Sequence, residues 1–175
     1  LECLWDLSIK QPSEICIVAG TKSVSYGEFI ELITRASANL KRLPHADVLL
    51  LPLKDQLKII VYGIAALSNG FSIYLTGSAN LRQAMSEFKS QGKRVNVLHE
   101  NAAFQSGRRE LFIADLFDEK GECDPSEKKL TLATGLYLMG TGTTKGISSL
   151  IYHRPEDLIS MIRRDRLARS FENRE

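Results

Sequence analysis

At 175 residues, with 43% hydrophobic and 25% charged side chains, the chain is long enough for one domain with a real core and too apolar for wholesale disorder. A formal net charge of +2 is too small for a nucleic-acid or anionic-membrane partner, and no apolar run approaches the roughly 20 residues of a membrane span. Cys3, Cys16 and Cys123 are odd in number and far apart, without a metal or disulfide pattern, and the start has no secretory signal, so a reducing cytoplasm is the expected compartment.

The polar lead-in carries Leu4 and Trp5, which are expected to pack on the sheet or on a region outside this chain. The first residue is Leu1 rather than Met, so the chain is expected to be part of a longer one. Ile15–Ala19 reads as a short strand, 20–23 as a turn, and 24–26 as the start of the return. Ser25 and Glu28 then form an S-x-x-E capping box, each side chain satisfying an amide of the first turn. The helix that follows sets Phe29, Leu32, Ile33, Ala36, Leu40 and Leu43 on one face, and Pro44 is expected to end it.

Residues 48–53 form the continuous apolar run of a parallel strand buried on both faces. Asp55 is placed to cap a helix with Leu57, Ile60, Val61, Ile64 and Leu67 inside, stopped by Asn69-Gly70. A strand over 71–75 follows. Ser78 or Asn80 opens the next helix, with Leu81, Ala84, Met85 and Phe88 inside and Gly92 at its close, and 95–98 is the next strand. The stretch 100–129 is irregular, with a short strand at 111–113 and a polar surface loop over 118–129. Strands at 136–139 and 150–152 flank a Gly/Thr loop, and Pro155 starts a last helix with Leu158, Met161, Ile162, Leu167 and Phe171 on its apolar side.

This alternation predicts an α/β fold with a mainly parallel sheet flanked by helices. It divides the chain into a strand-and-helix region over 1–99, an irregular region over 100–130, a strand–loop–strand over 131–153 and a helix over 154–172. In such sheets ligands bind beyond the carboxyl ends of the strands, where the Gly/Thr loop lies.

That loop, Gly140-Thr141-Gly142-Thr143-Thr144-Lys145-Gly146, offers unobstructed amides, three hydroxyls and one ammonium. These are the groups that wrap a polyphosphate. It is neither a P-loop nor a dinucleotide fingerprint, because Lys precedes Gly, the third glycine is missing and no helix follows directly. A hairpin turn in which Gly supplies positive φ and Thr solvates the bend is the alternative.

In its context, the loop resembles the phosphate loop of the adenylate-forming superfamily: acyl- and aryl-CoA synthetases, nonribosomal-peptide adenylation domains and luciferases. The usual form there is Tyr-x-x-Ser-Gly-Thr-Thr-Gly-x-Pro-Lys-Gly. Tyr137, Thr141, Gly142, Thr143 and Thr144 fall on its first part, with Thr141 standing for the Ser. The stretch "PSEICIVAGTKSVSYGEFIELITRASANL" is similar to that superfamily's opening, and "VLLLPLKDQLKIIVYGIAALSNGFSIYL" to its second block. Without gaps the superfamily's second Gly falls on Lys145, its Pro on Ile147 and its Lys on Ser148; a deletion instead aligns Lys145-Gly146 with the Lys-Gly pair.

The resemblance implies the N-terminal part of the large subdomain of an ATP-dependent, Mg2+-dependent ligase. Such an enzyme joins a small-molecule carboxylic acid to AMP and passes the acyl group to CoA or to the phosphopantetheine of a carrier protein. It implies nucleotide binding by Thr141, Gly142, Thr143, Thr144, Lys145 and Gly146, and substrate binding by His153. The superfamily's acyl pocket, ribose-binding Asp and catalytic Lys come after the region resembled, so this chain alone is expected to be inactive. A degenerate or truncated, non-catalytic nucleotide-binding or interaction domain is the alternative. His153 reads equally as a polar strand end, His45 and His99 as exposed loop-boundary residues, and Arg163, Arg164, Arg166 and Arg169 as a solvated face.

Overall fold

The computed structural model describes residues 2–99, 110–112, 135–139, 150–157 and 160. The polar lead-in is a helix, α1 (Glu2–Lys10), and Leu4 packs against the core beneath it. Next comes a hairpin of β1 (Ile15–Ala19) and β2 (Lys22–Ser25), turning at Gly20, whose φ of 63° favours glycine. The hairpin is a two-stranded sheet of its own, so these strands stand outside the parallel sheet. The register shift between Ile15 and Ile17 is a bulge. It leaves Ile17 opposite the buried Val24 while Ile15 and Val18 face outward, 61% and 69% exposed.

Ser25 begins α2 (Tyr26–Leu40) with the expected capping box: its hydroxyl accepts from the Glu28 amide at 3.3 Å, and its own amide donates to Glu28 Oε2 at 2.8 Å. The buried face carries Phe29, Ile30, Ile33, Ala36, Ser37 and Leu40. The helix ends at Leu40, short of Pro44. There the Arg42 and Leu43 amides turn to Asn39 and Leu40 in tight i−3 bonds, as the residue before a proline resists helical backbone. Leu43, beyond the helix end, is only partly buried, as is Leu32 within it.

Five strands form the parallel part of the main sheet: β3 (Val48–Leu51), β4 (Ser72–Leu75), β5 (Val95–His99), β6 (Glu110–Phe112) and β7 (Leu136–Met139). The sixth, β8 (Leu150–His153), returns antiparallel beside β7, and the spatial order is β6-β5-β3-β4-β7-β8. Two helices connect the centre, α3 (Gln56–Ser68) from β3 to β4 and α4 (Leu81–Ser90) from β4 back across β3 to β5. Parallel crossovers keep one hand, so connections running in opposite directions must lie on opposite faces. Two cores result. Leu49, Leu51, Ile73 and Leu98 pack with α2 and α3; Val48, Leu50, Tyr74, Val95 and Val97 pack with Leu81, Ala84 and Phe88 of α4.

Asp55 caps α3 through the Lys58 amide at 3.1 Å, and Gly70, at φ 82°, stops it. Ile60, expected inside, is 40% exposed, while Tyr62, Ala65 and Ala66 are buried: packing against both β4 and α2 turns the helix away from the simple i, i+3, i+4 stripe. A 3₁₀ turn over Ser78–Asn80 precedes α4, and Asn80 makes no side-chain cap. Asn69 Nδ2 donates to Ser37 Oγ at 2.8 Å and ties α3 to α2, while the fully buried Asn96 donates to the Pro44 carbonyl at 2.7 Å. No described helix is long and apolar enough to cross a membrane.

At the amino-terminal edge, Asp47 accepts the Arg94 amide at 2.8 Å, its Nη2 at 2.9 Å and its Nε at 3.2 Å, joining the starts of β3 and β5. The Arg94 side chain, then its backbone amide, hold the Asp47 carboxyl well below the usual carboxylate range. A depressed folded-state value gives stability that is present above the unfolded value near pH 4 and lost as pH falls toward the folded one. We expect Arg94→Ala to flatten the acid limb of a stability–pH curve below about pH 4. The effect on overall stability should be small, since both side chains are partly exposed and screened. Parallel acid limbs for the two chains in thermal melts would refute this.

Candidate functional site

The parallel strands end together, so Leu51, Leu75, His99, Phe112 and Met139 share one rim. Neighbouring strands β3 and β4 send their helices to opposite faces, which makes the rim between them a topological switch point and opens a crevice there. Pro52, Leu53, Lys54 and Asp55 follow β3 at this rim, and Thr76, Gly77 and Ser78 follow β4. The Thr76 amide donates to the Leu51 carbonyl at 3.5 Å, carrying the β3–β4 ladder one step further. Beyond it Gly77 and Ser78 are exposed.

Helices that follow parallel strands start at this same rim, so α3 and α4 both direct their amino ends toward it. Unpaired amides and the macrodipole make such ends favourable for anions. Asp55 already occupies one α3 amide with its carboxylate. At α4 no side chain caps the turn, and backbone bonds from Asn80 to the Gly77 carbonyl and from Leu81 to the Ser78 carbonyl close it.

Strand β7 lies beside β4, with Tyr74 opposite Tyr137. Continuing that register sets Met139 level with Thr76, so the chain leaves β7 next to the crevice. Thr141, Gly142, Thr143, Thr144, Lys145 and Gly146 lie outside the described residues. Their two stems, Met139 and Leu150, face each other as the last pair of the β7–β8 ladder.

His153 stands at the opposite end of that ladder, opposite Leu136, about 10 Å along the strand from the Met139–Leu150 pair. The antiparallel return carries it away from the rim. Its carbonyl oxygen presses on Gly135: a β-carbon there would come closer to it than real β-carbons do. Next to it, Arg154 Nε and Nη2 donate to Asp157 at 3.0 and 3.2 Å, holding that carboxyl below its usual range at the start of the last helix.

Two further findings bear on the rim. His99 was expected to be exposed at a loop boundary; it is 5% exposed, because β5 runs one residue past Leu98 and takes it into the ladder opposite Phe112. His45 is exposed, as expected. The Thr76-Gly77-Ser78 side of the crevice was not singled out from the sequence. Its signal was a small, polar tripeptide directly after an apolar strand, the same pattern as the Gly/Thr loop in shorter form.

No protein-family model and no curated protein matches the sequence. The fold does match solved structures. The N-terminal subdomain of Klebsiella oxytoca NpsA, solved in complex with 3-hydroxyanthranilyl-AMSN, superposes with a TM-score of 0.67 at 15% identity over 88% of this chain and 40% of that one. An artificially fused NpsA-ThdA adenylation–PCP di-domain from the same organism gives 0.67 at 16% identity over 87% of this chain and 32% of that one. The o-succinylbenzoate CoA synthetase MenE of Bacillus subtilis, in complex with its acyl-adenylate intermediate OSB-AMP, gives 0.64 at 14% over 87% of this chain and 42% of that one. The chain spans about two fifths of the length of the NpsA N-terminal subdomain and of MenE, and about a third of the fused di-domain. The likeness is one of fold, and the fold is that of the N-terminal portion of adenylate-forming enzymes.

Proposed function

We propose that this chain is the N-terminal part of an ATP-dependent ligase that activates a carboxylic acid as its acyl-adenylate and hands the acyl group to a thiol. A carboxylate oxygen attacks the α-phosphorus of ATP, the bond to the bridging oxygen breaks, and pyrophosphate leaves with both electrons. Negative charge grows on the leaving group. The chain's part in this is to hold and neutralise it: backbone amides of 140–146, the hydroxyls of Thr141, Thr143 and Thr144, and the Lys145 ammonium bind the β- and γ-phosphates.

The observation that carries the reading is the position of Met139. Met139, the last described residue before the Gly/Thr segment, lies at the carboxyl rim near the β3–β4 switch point, where the amino ends of α3 and α4 favour an anion. The residues present therefore suit a polyphosphate. Among the described residues no group of three His, Cys, Asp or Glu offers a metal site, and Mg2+ would arrive on the nucleotide, held through phosphate oxygens. The bound adenylate of MenE and the carrier domain fused to NpsA support a carboxylic-acid substrate and an acceptor that is either CoA or a carrier-protein phosphopantetheine. The three cysteines, odd in number and far apart in the sequence, suit a cytoplasmic protein.

The test is carboxylate-dependent exchange of labelled pyrophosphate into ATP by the protein that contains this chain. Exchange that needs both the acid and Mg2+ is expected. Nucleotide binding without exchange would favour a non-catalytic binding domain, and neither binding nor exchange would overturn the reading.

A further inference from the structure

Among the described residues the β7–β8 ladder holds Leu136 opposite His153, Tyr137 opposite Tyr152, Leu138 opposite Ile151 and Met139 opposite Leu150. A two-residue turn fixes hairpin register through its own geometry, whereas the long connection over 140–149 does not. Strand β7 is pinned on its other side by β4, with Ile73 opposite Leu136. Strand β8 has no such neighbour among the described residues, and Ile151 and Tyr152 are 47% and 41% exposed. Its register therefore needs another source. A slip by one residue would move Tyr152 to the wrong face; a slip by two would keep the face and shift both stems of the loop.

Three contacts converge at the base of the hairpin. The Gly135 amide donates to the Tyr152 hydroxyl at 2.9 Å. The Tyr152 ring packs on Tyr137 with centroids 4.8 Å apart, and Tyr137 in turn meets Phe88 edge-on at 5.0 Å. The His153 carbonyl fills the space where any residue but glycine at 135 would put a β-carbon. The Gly135 carbonyl meanwhile accepts from Ile73, so this glycine is fixed to β4 before it meets β8.

We infer that Tyr152 is a positioning residue: its hydroxyl on the Gly135 amide, with the bare α-carbon of Gly135 under the His153 carbonyl, sets the register of β8 and thereby the place where the 140–149 segment leaves and rejoins the sheet. A slipped register fails on two counts. It takes the hydroxyl off the amide, and it brings a different carbonyl over Gly135. That the aimed segment grips phosphate rests on the function proposed above; the register clamp does not.

Tyr152→Phe keeps the ring and removes the bond, so it is the variant of choice. Gly135→Ala would test the close approach but risks the whole hairpin. In the full chain, NMR should show the Gly135 amide exchanging about fivefold faster in Tyr152→Phe, with a second set of β7–β8 cross-strand contacts and unchanged exchange at Leu50 and Val97. Titration with Mg2+ and tripolyphosphate should show affinity about fivefold weaker, with the thermal midpoint unmoved. A Gly135 amide and a single register unaltered in the variant would overturn the clamp. A lost clamp with unchanged tripolyphosphate affinity would overturn the positioning role. Flat titrations of both chains would remove the phosphate reading and any phosphate-positioning role with it, while the exchange data still decide the clamp.

Discussion

Replacing Thr143 and Thr144 together by alanine is expected to lower carboxylate-dependent pyrophosphate exchange by roughly 10²–10³-fold in the protein that contains this chain. Under the proposed function each hydroxyl would donate to oxygens whose charge increases as pyrophosphate departs, and losing one such donor typically costs about 3 kcal/mol of transition-state stabilisation. That is a factor of about 10² in rate. Two donors on one leaving group act as a unit, so the double change should cost less than the sum of the singles. The loss should appear in kcat, since the interaction tightens as charge develops, while KM for the carboxylic acid stays close to its original value. Thr144→Ser, which keeps the hydroxyl, should recover most of the rate. Unchanged exchange in the double variant would show that these hydroxyls have no part in holding the phosphates.

Phe88→Ala is expected to be the most damaging single change in the described core, at roughly 3–5 kcal/mol of unfolding free energy. Phe88 is fully buried and is the main hold of α4 on the sheet. Its ring meets Tyr74 edge-on at 5.5 Å and Tyr137 at 5.0 Å, so the change opens a cavity and removes two aromatic contacts together. Each contact is worth about 0.5–1.5 kcal/mol beyond its buried area. Against a typical total of about 5–15 kcal/mol, the loss would leave the domain close to unfolding. Phe88→Leu keeps most of the volume and should cost clearly less. Urea denaturation decides it: a change under about 1 kcal/mol for Phe88→Ala would show that α4 is not anchored by this ring.

Because Tyr137 belongs to β7, Phe88 also links the α4 core to the hairpin that carries the Gly/Thr segment. Damage at Phe88 should therefore reach the nucleotide binding proposed for that segment as well as stability. The Thr143 and Thr144 variant should leave stability alone, and the two changes are separable by that pattern.

Much of the architecture follows from short-range chemistry. The uninterrupted apolar run of β3 requires burial on both faces. Ser25 with Glu28, and Asp55, supply side chains that satisfy free amides at helix starts, and Gly70 and Gly92 take the positive φ values that end helices. The likeness to the adenylate-forming fold rests on these same blocks in the same order. Each signal is complete within a few neighbouring residues, so no knowledge of the rest of the chain is needed to read it.

Helix α1 escaped notice because its residues carry little apolar periodicity, and it is the α2 surface that gives Leu4 somewhere to go. The separation of β1 and β2 from the main sheet, the burial of His99 and the place of His153 were equally hidden. All three depend on which strands become neighbours, and that is decided between segments far apart in the chain. Strand β3 lies between β4 and β5 because two crossovers of one hand run in opposite directions over it. The same arrangement makes the β3–β4 crevice and brings Met139 beside it. Local pattern specified which pieces form and which face each one buries. The order of the strands, a property of the packed whole, determined where the rim lies and sent His153 to the far edge.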